Sequence, residues 1–268
     1  MKMSKFAFGR VFLVISCAVI ATACGNDDNP MGEGNLDNIH LKRLTKIYTN
    51  IVEGDWTKWS GEELVYDEVG RLVKEFHYYK GNKGDDGKVY TFDYDGNHVH
   101  MKRGNTSVGY DFVLNNDGNA VSCMKGDDVL NFTYTSDGYL ASIEYHNSPE
   151  TYYYTYTWED GNMVKFIFEA SWGSTITSFE YNMEEANTYG IMAYYQNKRS
   201  FFYPYIDALD WAFYAGILGK PTKNLPKTYI SRNNGYETSG SVNCCFVTGW
   251  TEEEAHEQGY SFPVYVIE

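Results

Sequence analysis

The sequence predicts a mainly β protein, a large antiparallel β-meander, curved or barrel-like, with one amphipathic helix against its concave face. Composition points there first: 6 Trp, 25 Tyr and 15 Phe make up 17% of the 268 residues, and aromatic side chains favour the half-buried surface of a sheet. A repeat points there second. An aromatic-rich strand runs into a polar turn ending in Gly and returns as an apolar strand, as in Leu64-Val-Tyr-Asp-Glu-Val-Gly70, Phe92-Asp-Tyr-Asp-Gly96, Phe112-Val-Leu-Asn-Asn-Asp-Gly118, Phe132-Thr-Tyr-Thr-Ser-Asp-Gly138 and Tyr156-Thr-Trp-Glu-Asp-Gly161. Glycine accepts the positive φ that tight turns and their bulges require, so each copy reads as a hairpin. The third observation is alternation. In Tyr152-Tyr-Tyr-Thr-Tyr-Thr-Trp158, Tyr152, Tyr154, Tyr156 and Trp158 share one strand face and Tyr153, Thr155 and Thr157 the other, so one face is buried.

The chain opens with an address. Lys2, Lys5 and Arg10 precede an apolar run from Val11 to Ala21, and Thr22-Ala23-Cys24 follows, the layout of a bacterial secretory signal. The run is shorter than the roughly 20 residues a membrane-spanning helix needs. Cys24 behind Ala21-Thr22-Ala23 resembles a lipobox, with Ala21 in the usual Leu position. Residues 1–23 are therefore expected to be a lipoprotein signal peptide, and Cys24 to carry the lipid. Residues 24–38 form a polar, Gly-rich tether with a typical reach of about 20 Å. Asp27-Asp28 resembles the acidic export signal that sends some Gram-negative lipoproteins to the outer face of the outer membrane. Residues 39–268 remain for a single β-meander domain.

Within that domain, strands are also expected at Leu41 to Tyr48, Arg71 to Tyr79, Lys165 to Ala170, Thr175 to Tyr181, Ser241 to Trp250 and Gly259 to Ile267. The segment from Pro204 to Gly219 breaks the β rhythm. Pro204 suits a first helical turn, Leu209, Ala212, Phe213, Gly216 and Ile217 recur at helical spacing, and Gly219 is the expected stop. Thr251 and Glu254 have the spacing of a capping box. The Asp-Gly loops lack the spaced ligands of a calcium loop, which leaves them as turns. With Cys17 removed and Cys24 lipidated, Cys123, Cys244 and Cys245 remain. A bridge from Cys123 to Cys244 or Cys245 suits an oxidising compartment, but the expectation is three small packed residues.

The Tyr-Asp-x-x-Gly-Arg-Leu turns, the segment Tyr214-Ala-Gly-Ile-Leu-Gly-Lys-Pro-Thr-Lys-Asn-Leu-Pro226 and the closing Gly259-Tyr260 strand resemble a family: a domain of unknown function with a porin-like fold, found in secreted lipoproteins of gut and oral anaerobes. The resemblance covers residues 36–268. It implies a fold and a location, and carries no catalytic residues. The second turn, shortened to Tyr94-Asp-Gly96, and the long stretch from Thr251 to Gln258 depart from the pattern. A membrane barrel needs apolar residues on its outward face at every strand, whereas these strands interleave Lys, Glu, Thr and Asn. The expectation is a porin-like but soluble domain.

Chemistry is sparse. A formal net charge of −14 disfavours nucleic acid, which needs clustered Lys and Arg. The chain has no Gly-x-Ser-x-Gly elbow, no His-Glu-x-x-His and no phosphate-binding Gly-rich loop, so no catalytic residue and no cofactor is assigned. His98 and His100 lie two apart on a strand, where both rings could face one metal. No third ligand is identifiable, and they read as surface polar residues. The remaining candidate is a binding surface, because flat aromatic rings stack on the apolar faces of sugars. Trp56, Trp59 and Trp172, in expected loops beside Gly54, Gly61 and Gly173, are the candidate ligand-binding residues. The leading expectation is a surface-tethered lipoprotein, held to outer-membrane lipid through acylated Cys24, that binds a glycan or similar ligand. The alternative is a structural or assembly partner of an envelope protein. A hydrolase would need a pocket gathering two acids, or His98 and His100 with a carboxylate.

Overall fold

The structure, a computed structural model, describes residues 44–53, 56–81, 86–104, 109–191, 194–195, 199–200, 208–242, 244–251, 253–254 and 264–268. The expected signal, lipidation site and tether, residues 1–38, lie outside them.

Twelve strands follow one another in the chain: β1 (Leu44–Glu53), β2 (Trp56–Tyr66), β3 (Leu72–Gly81), β4 (Asp86–Asp95), β5 (His98–Arg103), β6 (Gly109–Leu114), β7 (Ala120–Lys125), β8 (Asp128–Tyr134), β9 (Leu140–Asn147), β10 (Glu150–Glu159), β11 (Asn162–Ala170) and β12 (Gly173–Ala186). Each pairs with the next in antiparallel register. After the short pair β13 (Tyr194–Tyr195) and β14 (Arg199–Ser200) and the helix α1 (Ala208–Tyr214), the chain returns as β15 (Asn224–Asn233) on β12, then β16 (Tyr236–Ser241). It ends in β17 (Cys245–Thr248) and β18 (Val264–Ile267), with β18 antiparallel to β1 and β17 parallel to β18. The result is one 16-stranded sheet with β16 at one edge and β17 at the other. Among the described residues no ladder joins those edges, so the sheet is not closed into a barrel. The chain nevertheless crosses from Ser241 to Cys245, a span of at most about 14 Å, so the sheet is curled until its edges nearly meet.

The turns carry the expected chemistry. All five repeat glycines have positive φ, from 57° at Gly96 to 88° at Gly70. Three hairpins share one pattern: Gly70 donates to Asp67 O, Gly118 to Asn115 O and Gly138 to Thr135 O, while Asp67, Asn115 and Thr135 each donate from their N–H to the carbonyl four residues on. Their side chains accept in turn from the backbone N–H of Arg71, Asn119 and Tyr139. A β-bulge accompanies these turns, with register shifts at Val65/Tyr66, Val113/Leu114 and Thr133/Tyr134, and another falls at Thr157/Trp158. A bulge takes backbone groups out of the ladder. Aromatic side chains reach carbonyls at these strand ends: Tyr66 Oη donates to Leu44 O, Tyr94 Oη to Leu72 O, Tyr134 Oη to Ala120 O, Trp158 Nε1 to Leu140 O and Tyr181 Oη to Met163 O.

Alternation buries one face. Tyr154, Tyr156, Phe166, Phe168, Phe112 and Met101 belong to a continuous core drawn from strands all along the sheet. The outward positions Asp93, Asp111, Asn131, Thr155, Glu169 and Glu180 are exposed. Charged and polar side chains thus recur on the outer face, among exposed apolar ones such as Met124, Tyr153 and Ile230.

The helix differs from expectation in length and surroundings. It runs from Ala208 to Tyr214, with 204–207 outside the described residues. It stops at Gly216, not Gly219: Ile217 N donates to Ala212 O and Gly216 N to Phe213 O around Gly216 at φ 76°, a Schellman stop. Leu209, Asp210, Trp211, Ala212 and Phe213 are all buried, so these five successive residues are enclosed on every side, and Tyr214 is half-buried. Beyond it the chain straps the turn end of the sheet. Ala120 N donates to Ile217 O, Lys220 N to Gly138 O and Lys223 N to Gly161 O. The expected strand from Ser241 to Trp250 is broken, because the chain there leaves one sheet edge for the other. The capping box forms: Thr251 N donates to Glu254 Oε2 at 2.8 Å and Glu254 N to Thr251 Oγ1 at 3.3 Å.

Candidate functional site

A pocket of about 310 Å³ opens at the turn end of the sheet, within the size range of small-ligand sites. Three separate segments build it: Leu44, Tyr66 and Gly70 from the first hairpin, Thr188 to Gly190 after β12, and the stretch from Phe213 to Pro221. Among the described residues no charged side chain lines it. Tyr66 is held by its bond to Leu44 O at 3.1 Å. Tyr189 leans on Phe246 with ring centroids 5.2 Å apart, and Tyr214 meets Phe213 edge-on at 5.7 Å. Each ring is therefore braced from behind. The Tyr189 and Thr188 hydroxyls make no hydrogen bond among the described residues, which leaves polar handles on an aromatic wall.

A second feature lies deeper on the inner face. In three return strands of the repeat a residue at the strand start is buried, the bulge skips two, and burial resumes: Ala120 then Cys123, Leu140 then Ile143, Met163 then Phe166. The same rule in β3 gives Leu72 then Glu75, which is wholly buried. Glu62 in β2 occupies the inward place that Tyr90, Leu130 and Tyr154 hold in their own strands. Two carboxyl groups thus sit where the repeat puts apolar side chains. Glu62 Oε1 lies 3.6 Å from His77 Nδ1, and the His77 ring meets Trp211 of α1 edge-on at 5.8 Å. Neither Glu75 oxygen has a hydrogen-bond partner among the described residues. Burial pushes Glu62 up to about 8. Burial together with the charge of Glu62 pushes Glu75 up to about 10. Both hold protons at neutral pH. Helix α1 reaches both features, with Trp211 against His77 and Phe213 and Tyr214 in the pocket wall.

Two of the tryptophans named from sequence lie in a strand and the third in a turn. Trp56 and Trp59 stand within β2, opposite Glu53 and Asn50, and not in loops: β1 and β2 pair to within two residues of their connection, so no loop remains to hold them. Their side chains lie outside the described residues. Trp172 does occupy a turn, between β11 and β12, 54% exposed and braced on Phe168 at 5.7 Å. It sits at the end of the sheet opposite the pocket. The Tyr152 ladder is core, with Tyr154 and Tyr156 buried. Cys123 is a buried free thiol and Cys244 a half-buried one, so they are not bridged to each other; the Cys245 side chain lies outside the described residues. Sequence reasoning missed Tyr66, Tyr189, Phe213 and Tyr214. Two segments carrying them were visible as motifs, but nothing local showed that they meet.

The class of protein follows from the sheet: a porin-like β-meander with charged and polar side chains recurring on its outer face, strapped at one end by the segment after its helix. The chain belongs to the family described as a domain of unknown function (DUF4595) with porin-like fold, matched over residues 64–252. Among solved structures it is similar to a porin-like protein from Bacteroides uniformis, with a TM-score of 0.60, 17% identity, and coverage of 74% of this chain and 94% of that one. A porin-like protein from Bacteroides vulgatus is also similar, with a TM-score of 0.46, 14% identity, and coverage of 75% and 86%. No curated protein matches the sequence.

Proposed function

We propose that this protein is a surface-tethered lipoprotein, anchored in the outer membrane through Cys24, whose domain binds an uncharged extracellular glycan without transforming it. The observation that carries the reading is the pocket. It joins Tyr66, Tyr189, Phe213 and Tyr214 to the hydroxyls of Tyr189 and Thr188 and to bare glycine backbone, with no charged side chain among the described lining residues. Rings of this kind stack on sugar C–H faces while hydroxyls and backbone groups meet sugar oxygens. Exposed Trp172 at the opposite end suits a second contact with a long polysaccharide.

The test is a panel of neutral host and dietary polysaccharides, read by tryptophan fluorescence and thermal shift. Binding that is lost in Tyr189→Ala and Tyr214→Ala, both still folded by circular dichroism, supports the pocket. Binding lost only in Trp172→Ala moves the site to the β11–β12 turn. Silence across the panel overturns the reading in favour of docking to an envelope protein, for which the unpaired edges β16 and β17 offer backbone groups.

A further inference from the structure

On the outward face, away from pocket and core, His98 and His100 of β5 lie between Asp93 and Asp95 of β4 on one side and Val113 and Asp111 of β6 on the other. Asp95 pairs with His98 and Asp93 with His100 across β4, and Asp111 pairs with His100 across β6. Directly opposed residues share a face, so two imidazoles and three carboxylates meet on one exposed patch, with Lys102 the next outward residue on β5. The two rings are parallel within 10°, their centroids 6.3 Å apart. His100 Nδ1 lies 2.5 Å from Asp111 Oδ1. An ionised carboxylate only accepts, so Nδ1 carries the proton and donates. In the neutral ring that contact puts the proton on Nδ1 and the lone pair on Nε2.

We propose that His98 and His100 form a two-imidazole chelate for a divalent transition ion of the zinc, copper or nickel class, with Asp111 as a positioning residue. A carboxylate on the distal nitrogen is the usual outer partner of a metal-bound histidine, because it orients the ring and raises its basicity. Imidazole nitrogen selects these ions over calcium and magnesium, which take oxygen. The surrounding Asp93 and Asp95 give the patch the negative potential that draws a dication. Among the described residues no three His, Cys, Asp or Glu side chains are already gathered around one ion. The chelate therefore closes by tilting two exposed rings toward each other, and water completes the coordination. Such a site captures ions at the surface and does not staple the fold.

The test is titration of the purified, chelator-treated protein with Zn²⁺ by calorimetry and with Cu²⁺ by electron paramagnetic resonance. One ion per chain is expected, with two imidazole nitrogens in the Cu²⁺ spectrum. His98→Ala and His100→Ala each weaken binding strongly, and any Cu²⁺ still bound shows fewer nitrogens. Asp111→Asn keeps two nitrogens but weakens affinity about 10–100-fold. His146→Ala, which removes a surface histidine 3.4 Å from Glu144, leaves binding unchanged. All four side chains are at the surface, and unchanged melting of the ion-free variants checks their folding. No bound ion, or binding that survives the His98→Ala/His100→Ala pair, overturns the proposal. Unaltered affinity in Asp111→Asn overturns the role given to Asp111.

Discussion

The indole Nε1–H of Trp158 donates to the carbonyl of Leu140 at 2.7 Å, joining the end of one strand to the start of the strand beside it. It is one rung of a ladder that Tyr66, Tyr94, Tyr134 and Tyr181 continue. At these five positions the aromatic is thus a hydrogen-bond donor as well as core mass, a part Phe could not play. Phenylalanine would fill the same space and leave the carbonyl unpaired.

Trp158→Phe should therefore cost about 1–3 kcal/mol, the price of an unpaired half-buried carbonyl and a reduced stack on Tyr139. Trp172→Phe, in a turn and 54% exposed, should stay within about 0.5 kcal/mol. Chemical denaturation of both variants checks the contrast. Equal losses would mean that the ladder contributes nothing beyond burial.

The buried acids make stability depend on pH. Glu62 and Glu75 are raised from 4.5 to about 8 and about 10, so the folded protein keeps two protons that the unfolded chain releases above its ordinary carboxylate range. Their favourable contribution is complete below about pH 4.5. It is lost as pH rises, until about 8 for Glu62 and about 10 for Glu75, on the order of 3 kcal/mol each by neutrality. Glu75→Gln has no proton to lose. Its melting midpoint relative to the parent should climb steadily from pH 5 to pH 9, and parallel curves for the two proteins would refute the buried acid.

These acids also mark where local reading stops. The Asp-Gly turns, the alternation of β10 and the capping box at Thr251 were legible because each is decided by neighbours in sequence. Glu75 was not. A bulge near the start of β3 advances the inward face by one residue, so Glu75 and His77 turn in while Phe76 stays half-buried under Lys74; a one-residue slip exchanges the faces of a strand. The pocket was hidden for a different reason, since its walls are separated by more than a hundred residues. Helix α1 was visible, but its stop at Gly216 depended on the chain turning there to strap the hairpins.

Two glycines separate strain from collision. Gly219 has φ 83°, and a Cβ there would lie 2.9 Å from Gly138 O and 3.1 Å from Leu140 N, both backbone. Gly219→Ala should displace the strap from the β8–β9 hairpin and cost well over 2 kcal/mol. Gly96 has φ 57° with nothing within 4 Å, so Gly96→Ala carries only the left-handed penalty of about 1–2 kcal/mol. Hydrogen exchange at Lys220, whose N–H donates to Gly138 O, should accelerate in the first variant and not in the second; protection in both would mean that the strap accommodates the methyl group.

Tyr66 and Tyr189 stand in the same pocket wall with different duties, and hydroxyl deletion distinguishes them. Tyr66 Oη is committed to Leu44 O at 3.1 Å, so Tyr66→Phe should lower stability by about 1 kcal/mol and weaken glycan binding only through the loosened wall. The Tyr189 hydroxyl has no partner among the described residues, so Tyr189→Phe should leave the melting midpoint in place. If that hydroxyl meets the sugar, the same variant weakens binding about 3- to 10-fold, the worth of one hydrogen bond. The pair of measurements gives a crossed pattern: stability falls in one variant, affinity in the other. A Tyr189→Phe protein that binds glycan as tightly as the parent would restrict Tyr189 to stacking and assign the polar contacts to Thr188 and the glycine backbone.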